Sequence, residues 1–306
     1  MRYYYFNPFS RAYYFPKGFK NYSLFTTFYK PYKLSARLMW QIWQISSFVR
    51  YLFSTSHPEE ILPLEQIGQF VTPSSILAFN FGTDGIEKKT TVLGVDTITN
   101  DTFFIKYATK ETACKNVFNE GVVLQQIKHL SFVPTLQLIV NMEHEFTLIK
   151  TTVLSGEKMK HEPINEEMLT ILFTLADQQV ESNRIYDSNL RSCFAHGDFC
   201  PWNILIYEGA IKLFDWELAG QYLLGYDLFT YVFQYEFIVK EKMRFELILK
   251  ENSDIIQRYF HHFEIDNWIP YLQEFSKLRH RLESDKNDIQ LIEYYLRLKD
   301  FSTHNL

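Results

Sequence analysis

Two short stretches in the second half of the chain carry polar side chains that suit one kind of chemistry. The first, HGDFCPWNIL (residues 196–205), contains Asp198 and Asn203, and the second, IKLFDWELAG (residues 211–220), contains Asp215. A carboxylate such as Asp198 can accept or orient the proton of a hydroxyl group, and an amide oxygen and a further carboxylate can bind Mg²⁺ beside it. The spacing therefore indicates the acidic half of a phosphoryl-transfer site.

The cationic half of such a site is expected upstream. Lys106 lies in the strand-like segment TFFIKYAT, and Glu120 lies fourteen residues later in a segment with helical spacing. A strand lysine paired with a helix glutamate can hold its ammonium group against the α and β phosphates of a nucleotide. The turn FGTDGIEKKT adds Gly82 and Gly85, whose backbone amides could approach phosphate oxygens, although glycine-rich hairpins are equally common as purely structural turns.

Together with GYDL at residues 225–228, these motifs resemble the aminoglycoside phosphotransferase and choline kinase group of the protein-kinase-like fold. The resemblance runs from about residue 74 to the last residue, and its β part rests on Lys106 and Glu120 alone. It implies an ATP- or GTP-dependent phosphotransferase that requires Mg²⁺ and acts on an alcohol group.

The resemblance also implies a role for individual positions. The catalytic base would be Asp198, the Mg²⁺ ligands Asn203 and Asp215, and the phosphate-binding pair Lys106 and Glu120. The adenine-binding hinge would be residues 150–153, which include Thr151 and Thr152. The supporting residues would be His196, which ties the loop to the metal-binding segment, and Asp227, which holds the loop from the next helix. Glu217 stays open between assisting a second metal or the substrate and forming only a salt bridge.

Each of these residues, taken alone, has an ordinary structural interpretation as a surface charge, a helix cap or a turn residue. Taken together and in this order, they favour the site. The competing hypothesis is a pseudokinase that keeps the fold and acts as a nucleotide-binding or docking protein, with the long amino-terminal part as its partner surface.

The substrate class follows from a short spacing. Only eleven residues separate Asp215 from Asp227, and no Ala-Pro-Glu follows, so the activation segment with which a protein kinase docks a peptide is missing. We expect a small hydroxylated acceptor such as a sugar or an amino alcohol. The amino-terminal part resembles the front end of bacterial phosphotransferase-family proteins associated with cell-surface polysaccharide synthesis, which implies a glycan-precursor acceptor.

The pattern of elements predicts an α+β, two-lobed protein-kinase-like fold. Short β-branched and aromatic runs separated by GTDG and TND indicate antiparallel strands, and a single helix follows. The chain is mostly helical from about residue 165, with helices expected over about residues 222–242, 244–262 and 266–298. We expect a basic, aromatic-rich extension with an amphipathic helix at residues 1–60, a nucleotide-binding β lobe at 61–152, and a helical lobe with the catalytic loop and acceptor site at 153–306.

Residues 1–58 differ chemically from the rest, since they hold eight basic residues and no Asp or Glu in a chain of net charge −5. Their longest apolar-rich run, residues 38–49, is too short to span a bilayer, for which about 20 residues are needed. One interpretation is an amphipathic helix that packs on the protein through Leu34, Leu38, Ile45, Val49 and Leu52. The other is a basic, tryptophan-bearing face at an anionic membrane surface.

Composition also predicts the compartment. Three cysteines without paired spacing argue against a disulfide framework and fit a reducing compartment. No signal peptide is evident at the start of the sequence. We therefore expect a cytoplasmic protein, with peripheral contact at the inner membrane surface as the alternative that residues 1–58 leave open. The acidic net charge argues against a nucleic-acid partner, and the oligomeric state stays open.

Overall fold

The computed structural model describes residues 3–6, 13–17, 34–46, 48, 54–55, 62–82, 85–159, 162–182, 184–186, 189–241, 243–286 and 288–306. The chain divides into two compact units. The first unit comprises residues 1–121 and 135–153, and the second unit comprises residues 122–134 and 154–306. The division into three parts that the sequence predicts stays a prediction.

The first unit is built on an antiparallel sheet of eight strands, in the order β3-β1-β2-β4-β5-β6-β8-β7. The strands are β1 (Tyr3–Phe6), β2 (Tyr13–Pro16), β3 (Ser54–Thr55), β4 (Ser75–Phe81), β5 (Thr90–Asp96), β6 (Thr102–Ala108), β7 (Leu136–Met142) and β8 (Phe146–Thr152). The three strands expected from the runs around GTDG and TND are β4, β5 and β6, which pair in sequence order. The helices are α1 (Leu34–Ile45), α2 (Leu64–Gly68) and α3 (Glu111–Gln126), the last of which continues into the second unit.

The sheet buries both of its faces, because successive side chains of a strand point to opposite sides. Phe79, Val92 and Ile105 belong to one cluster, into which Ile67 of α2 packs. Ala78 and Leu93, their neighbours in sequence, belong to the cluster on the other face. The central strands β4 and β5 therefore carry apolar side chains on both faces of the sheet.

The amino-terminal part of the chain extends this sheet, which the sequence analysis did not anticipate. β2 pairs with the edge of β4, and β1 pairs with β2. The sequences of β1 and β2, YYYF and YYFP, are aromatic runs of the type that favours strands. These runs lie in a basic segment that was interpreted as an extension of the protein, so their strand character was not predicted.

Helix α1 packs on the sheet through Trp40 and Trp43, whose rings stack with centroids 5.2 Å apart. Both side chains are buried in the cluster that contains Phe15. Of the predicted apolar stripe, Leu38 and Ile45 are on the exposed face, at 61% and 83% exposure, so the prediction is wrong for these two positions. Val49, Leu52 and the side chain of Leu34 lie outside the described residues. Two tryptophans bury more apolar area than the aliphatic residues do, and this decides which face of the helix turns inward.

The second unit combines helices with two small sheets. Its strands are β9 (Glu157–Lys158), β10 (Ser192–Ala195), β11 (Ile204–Tyr207), β12 (Ala210–Leu213) and β13 (Gly220–Leu223), of which β10 pairs with β13 and the others form the order β12-β11-β9. Its helices are α4 (Glu166–Ala176), α5 (Tyr226–Gln234), α6 (Phe245–His262), α7 (Ile269–Lys286) and α8 (Ile289–His304), and a π-helical turn, Tyr235–Val239, continues α5.

Two predicted helices of this unit differ from those observed. The helix expected from Tyr222 begins at Tyr226 instead, because Tyr222 lies in β13 and pairs with Cys193. The helix expected over residues 266–298 is two helices, α7 and α8, and the Asp288 side chain caps the second by accepting from the Leu291 N–H at 3.2 Å. Within the part of the chain that the structure describes, no helix is both long and apolar enough to cross a membrane.

Candidate active site

Residues 196–203, here called the Asp198 loop, connect β10 to β11 in the second unit. The loop leaves β10 through Gly197, which has a φ of +82°. A side chain at this position would place its Cβ atom 2.1 Å from the carbonyl oxygen of Leu218. Only glycine fits here, because both the backbone conformation and the close approach exclude a Cβ atom.

The Asp227 carboxylate holds the beginning of this loop. It accepts hydrogen bonds from the backbone N–H groups of His196, at 2.6 Å, and Gly197, at 3.0 Å. Burial raises the pKa of Asp227 to about 7, although both N–H donors lower it. Asp227 lies in the first turn of α5, where the helix dipole favours a negative charge. The two hydrogen bonds from Asp227 to the loop are the contacts that its predicted supporting role requires.

The His196 ring connects the loop to the segment that carries Asp215. Its Nδ1 accepts from the N–H of Asp198 at 3.3 Å, so the proton of the neutral ring lies on Nε2. Nε2 then donates to the carbonyl oxygen of Phe214 at 3.1 Å. The side chain is fully buried, which fits a scaffold residue rather than one that meets a substrate.

Asp198 and Asn203 contact each other directly. The Nδ2 atom of Asn203 donates to the backbone oxygen of Asp198, at 3.0 Å, and to its Oδ2 atom, at 2.8 Å. Because two acceptors face the amide nitrogen, the Oδ1 atom of Asn203 is the one left to bind a cation. The pair therefore joins a potential base to a potential metal ligand.

Asp215 and Asn203 lie at the same end of the β11–β12 hairpin, where the N–H of Phe214 donates to the carbonyl oxygen of Asn203 at 3.2 Å. Asp215 has a φ of +70°, in the left-handed region that non-glycine residues adopt mainly at special positions. Carboxylate oxygens of Asp215 and Glu217 lie within 4.8 Å of each other. A set of carboxylate and amide oxygens is what Mg²⁺ prefers, so the residues fit this ion.

In the first unit, Lys106 and Glu120 form a buried ion pair. The Nζ atom of Lys106 donates to both carboxylate oxygens of Glu120, at 2.8 and 2.6 Å. Lys106 points to the face of the sheet opposite Ile105, as the alternation of β6 predicts, and Glu120 comes from α3. Both side chains are less than a tenth exposed. The strand lysine and the helix glutamate are thus brought together as expected.

The predicted phosphate-binding glycines lie in the turn between β4 and β5. The N–H of Gly82 donates to the carbonyl oxygen of Lys89 at 3.1 Å, and a Cβ atom on Gly82 would lie 3.0 Å from that same oxygen. The Gly85 carbonyl oxygen accepts from the Lys110 ammonium group at 2.7 Å. The close approach to Lys89 therefore explains a glycine at position 82 without a ligand. Phosphate binding at either glycine stays a prediction.

The predicted hinge residues Thr151 and Thr152 lie in β8. The N–H of Thr152 donates to the carbonyl oxygen of Thr135 at 2.9 Å, and its hydroxyl accepts from the N–H of Thr135 at 3.0 Å. Thr151 is buried. The Thr152 N–H is committed to the sheet, and the adenine-binding role of both residues stays a prediction.

The predicted site does not include Cys200, which lies within the Asp198 loop, or Gln234 of α5, which contacts it. The sulfur of Cys200 lies 3.3 Å from Oδ1 of Asp198 and 2.8 Å from Oε1 of Gln234. Gln234 lies seven residues after Asp227, two helical turns along the same face of α5. This seven-residue spacing is the sequence signal that could have linked Gln234 to the site. It becomes useful only once residues 226–234 are known to form one helix beside the loop.

A family model described as the phosphotransferase enzyme family matches residues 160–248. This range contains the Asp198 loop, Asp215, Glu217 and Asp227, and it confirms the resemblance predicted from the motifs. No curated protein sequence matches the chain.

Two similar solved structures show the same fold. Amicoumacin kinase hAmiN, solved in complex with AMP-PNP, Ca²⁺ and Ami, is 11% identical with a TM-score of 0.52, over 79% of this chain and 95% of its own. Aminoglycoside phosphotransferase APH(4)-Ia is 9% identical with a TM-score of 0.54, over 81% of this chain and 98% of its own. Identities this low show the fold alone, and they confirm the α+β, protein-kinase-like class. The family match supports a phosphotransferase that acts on hydroxyl groups.

Proposed function

We propose that this protein is an ATP- or GTP-dependent small-molecule kinase, which transfers the γ-phosphoryl group to a hydroxyl group of its acceptor. The observation that carries the proposal is the paired arrangement of Asp198 and Asn203, in which the amide nitrogen holds the base and the amide oxygen remains for a cation. The family match over this segment supports it.

In the proposed reaction, Asp198 accepts the proton of the acceptor hydroxyl. The acceptor oxygen forms its bond to the γ phosphorus while the bond between the γ phosphorus and the β–γ bridging oxygen breaks, and the nucleoside diphosphate leaves with that oxygen. The buried His196 and Asp227 contacts keep the Asp198 backbone in place during this step. The chain thus contributes mainly position and charge.

Asn203 and Asp215 are proposed to hold Mg²⁺, with Glu217 beside Asp215 as a further carboxylate. When bound, Mg²⁺ would neutralise negative charge on the phosphate oxygens. Lys106 is proposed to bind nucleotide phosphates, and the bidentate contact with Glu120 fixes its ammonium group. The complex of hAmiN with AMP-PNP and Ca²⁺ supports a nucleotide and a divalent ion as the class of ligands.

The acceptor is proposed to be a sugar, an amino alcohol or a related small molecule, in the metabolism of a cell-surface polysaccharide. The eleven residues between Asp215 and Asp227 support a small acceptor, because they form a short turn, β13 and the start of α5. Trp216 and Tyr222 within this segment are buried. Little exposed chain is left there on which a peptide could dock.

An acceptor screen tests the function. Wild type and Asp198→Ala are incubated with ATP or GTP, Mg²⁺ and a panel of sugars and amino alcohols, and nucleoside diphosphate release is measured. Wild type is expected to turn over at least one acceptor, and Asp198→Ala to lose about 100-fold or more in rate. Asp300→Ala, which removes an exposed carboxylate of the same unit, is the matched control and should keep full activity.

The same screen tests the pseudokinase hypothesis. A protein that binds nucleotide without turning over any acceptor would give a nucleotide-dependent rise in melting temperature and no difference between wild type and Asp198→Ala. That outcome would contradict the proposed kinase activity and favour the hypothesis of a nucleotide-binding docking protein.

A separate proposal concerns where the protein works. The outer face of α1 carries Leu38, Met39, Ile42 and Ile45, which are between 48% and 83% exposed, while Trp40 and Trp43 are buried beneath it. The segment around this helix contains basic residues and no acidic ones. An apolar helix face in a basic segment fits the surface of an anionic membrane. We place this contact on the aliphatic face, not on the tryptophans.

Vesicle co-sedimentation tests this surface. Wild type is expected to bind vesicles that contain anionic lipid and to bind neutral vesicles poorly, and Ile42→Glu with Ile45→Glu should weaken binding about tenfold or more. Ile98→Glu changes an equally exposed isoleucine in the β5–β6 turn and should bind like wild type. Equal binding by all three proteins would end the membrane proposal. Point variants are preferable to a truncation, since residues 1–58 supply β1, β2 and β3.

A further inference from the structure

Helix α5 contacts the Asp198 loop along its length. Asp227, Tyr231 and Gln234 are spaced four and three residues apart, so they share one face of the helix. Asp227 binds the start of the loop. The ring of Tyr231 lies 5.8 Å from that of Phe199, and the amide oxygen of Gln234 lies 2.8 Å from the sulfur of Cys200. Gln234, at the end of this stripe, therefore meets the loop two residues after the proposed base.

Cys200 has the properties of a hydrogen-bond donor. Its side chain is fully buried, and burial, with the nearby Asp198 charge, raises its thiol pKa well above the usual range. The thiol therefore keeps its proton. The one thiol proton has two acceptors, Oε1 of Gln234 at 2.8 Å from the sulfur and Oδ1 of Asp198 at 3.3 Å. Gln234 itself is only 4% exposed, so water does not compete freely for these groups.

We propose that Cys200 is a positioning residue whose single thiol proton is shared between Oε1 of Gln234 and Oδ1 of Asp198, so that it holds Oδ1 of Asp198 while Asn203 holds Oδ2. This inference rests on the proposed role of Asp198 as the base. Rotation of an aspartate carboxylate about its last side-chain bond is only weakly restricted. Contacts to both oxygens restrict it, so that the lone pair that accepts the proton keeps one direction.

A buried cysteine can also be no more than a small packing residue. The two roles predict different measurements. Packing alone would affect the melting temperature and leave turnover of the folded enzyme unchanged. A positioning role would lower kcat, leave the KM for nucleotide nearly unchanged, and be restored by a side chain that keeps the donor.

The test compares Cys200→Ala with Cys200→Ser, using the acceptor with the highest turnover in the screen and, in parallel, ATP hydrolysis with water as the acceptor. Cys200→Ala is expected to lower kcat about 10- to 100-fold, because a small misplacement of a catalytic group has effects of this size. The KM for ATP should stay within about twofold, as expected when ground-state binding is unchanged. Cys200→Ser, which keeps a donor, should recover most of the loss.

Cys193→Ala is the matched control, since Cys193 is a second buried cysteine of the same unit and lies in β10, where it pairs with Tyr222 of β13. It should match wild type in kcat whatever it does to the melting temperature. Gln234→Met removes the second acceptor of the thiol proton and leaves the contact with Asp198, so it should keep kcat near that of wild type. The double variant should be no worse than Cys200→Ala alone, because the loss of the thiol already removes its contact with Gln234.

The outcomes separate the two proposals. If wild type is active and Asp198→Ala is not, but Cys200→Ala matches wild type in kcat, then the positioning role is wrong and the kinase proposal stands. If wild type and Asp198→Ala are equally inactive, the function itself fails and the positioning role fails with it. A crystal structure of Cys200→Ala should show a rotated Asp198 carboxylate, and an unmoved carboxylate would also overturn the inference.

Discussion

Lys106 and Glu120 show how one residue depends on another in this protein. Each charge is buried, and each is compensated by the other through two short hydrogen bonds. Removing Lys106 leaves the Glu120 charge buried without this counterion, which costs about 3 kcal/mol or more. The pair therefore contributes to the stability of the first unit as well as to the proposed binding of phosphates.

Lys106→Met is expected to weaken nucleotide binding by at least about tenfold and to lower the melting temperature, because it removes the ammonium group and leaves Glu120 uncompensated. Lys106→Met with Glu120→Gln should recover much of the melting temperature and none of the nucleotide affinity. The measurement is a titration with a fluorescent nucleotide analogue beside thermal unfolding.

Lys115→Met is the control, since Lys115 is an exposed lysine of α3, the helix that also carries Glu120, and pairs with Glu111 at 2.6 Å. It should bind nucleotide like wild type. If Lys106→Met also kept wild-type affinity, Lys106 would have only a structural role.

At the scale of elements, α1 and the strands β1 and β2 form an aromatic layer on one face of the sheet. Trp43 is 1% exposed and contacts the rings of Phe6 and Phe15 at centroid distances of 5.7 and 5.3 Å. This packing makes the amino-terminal segment part of the core of the first unit. It is therefore a structural element in addition to any surface it presents.

Trp43→Ala is expected to lower the free energy of unfolding by about 3 kcal/mol or more, as for other large buried aromatic residues. Leu38→Ala, on the exposed face of the same helix, should change it by less than about 0.5 kcal/mol. Urea titrations of the two variants give the comparison. Equal effects at both positions would show that the helix does not pack as described.

Sequence patterns predicted elements where local signals were sufficient. β4, β5 and β6 follow alternating β-branched and aromatic runs between turn residues, and the Asn165 cap marks the start of α4. β13 and the buried face of α1 could not be predicted in this way. A strand such as β13 is specified by its pairing with β10, and the inward face of α1 by the aromatic layer it covers, and both are tertiary contacts.

At the scale of the whole molecule, the same limit applies to the candidate site. Asp198, Asn203 and Asp215 are close in sequence and share one loop and one hairpin, so their spacing predicted their proximity. Gln234 is 34 residues from its contact Cys200, and no local pattern joins the two. The predicted site residues are distributed over the two compact units. Lys106 and Glu120 belong to the first unit, and the Asp198 loop belongs to the second.

The most direct test of the central claim follows a labelled phosphate. Purified protein is incubated with Mg²⁺, a panel of hydroxylated acceptors and ATP labelled at either the γ or the α phosphate. Wild type should label an acceptor from the γ position only, and Asp198→Ala should do so about 100-fold more slowly or not at all. Label from the α position, or equal transfer by wild type and Asp198→Ala, would contradict the assignment of this protein as a kinase with Asp198 as its base.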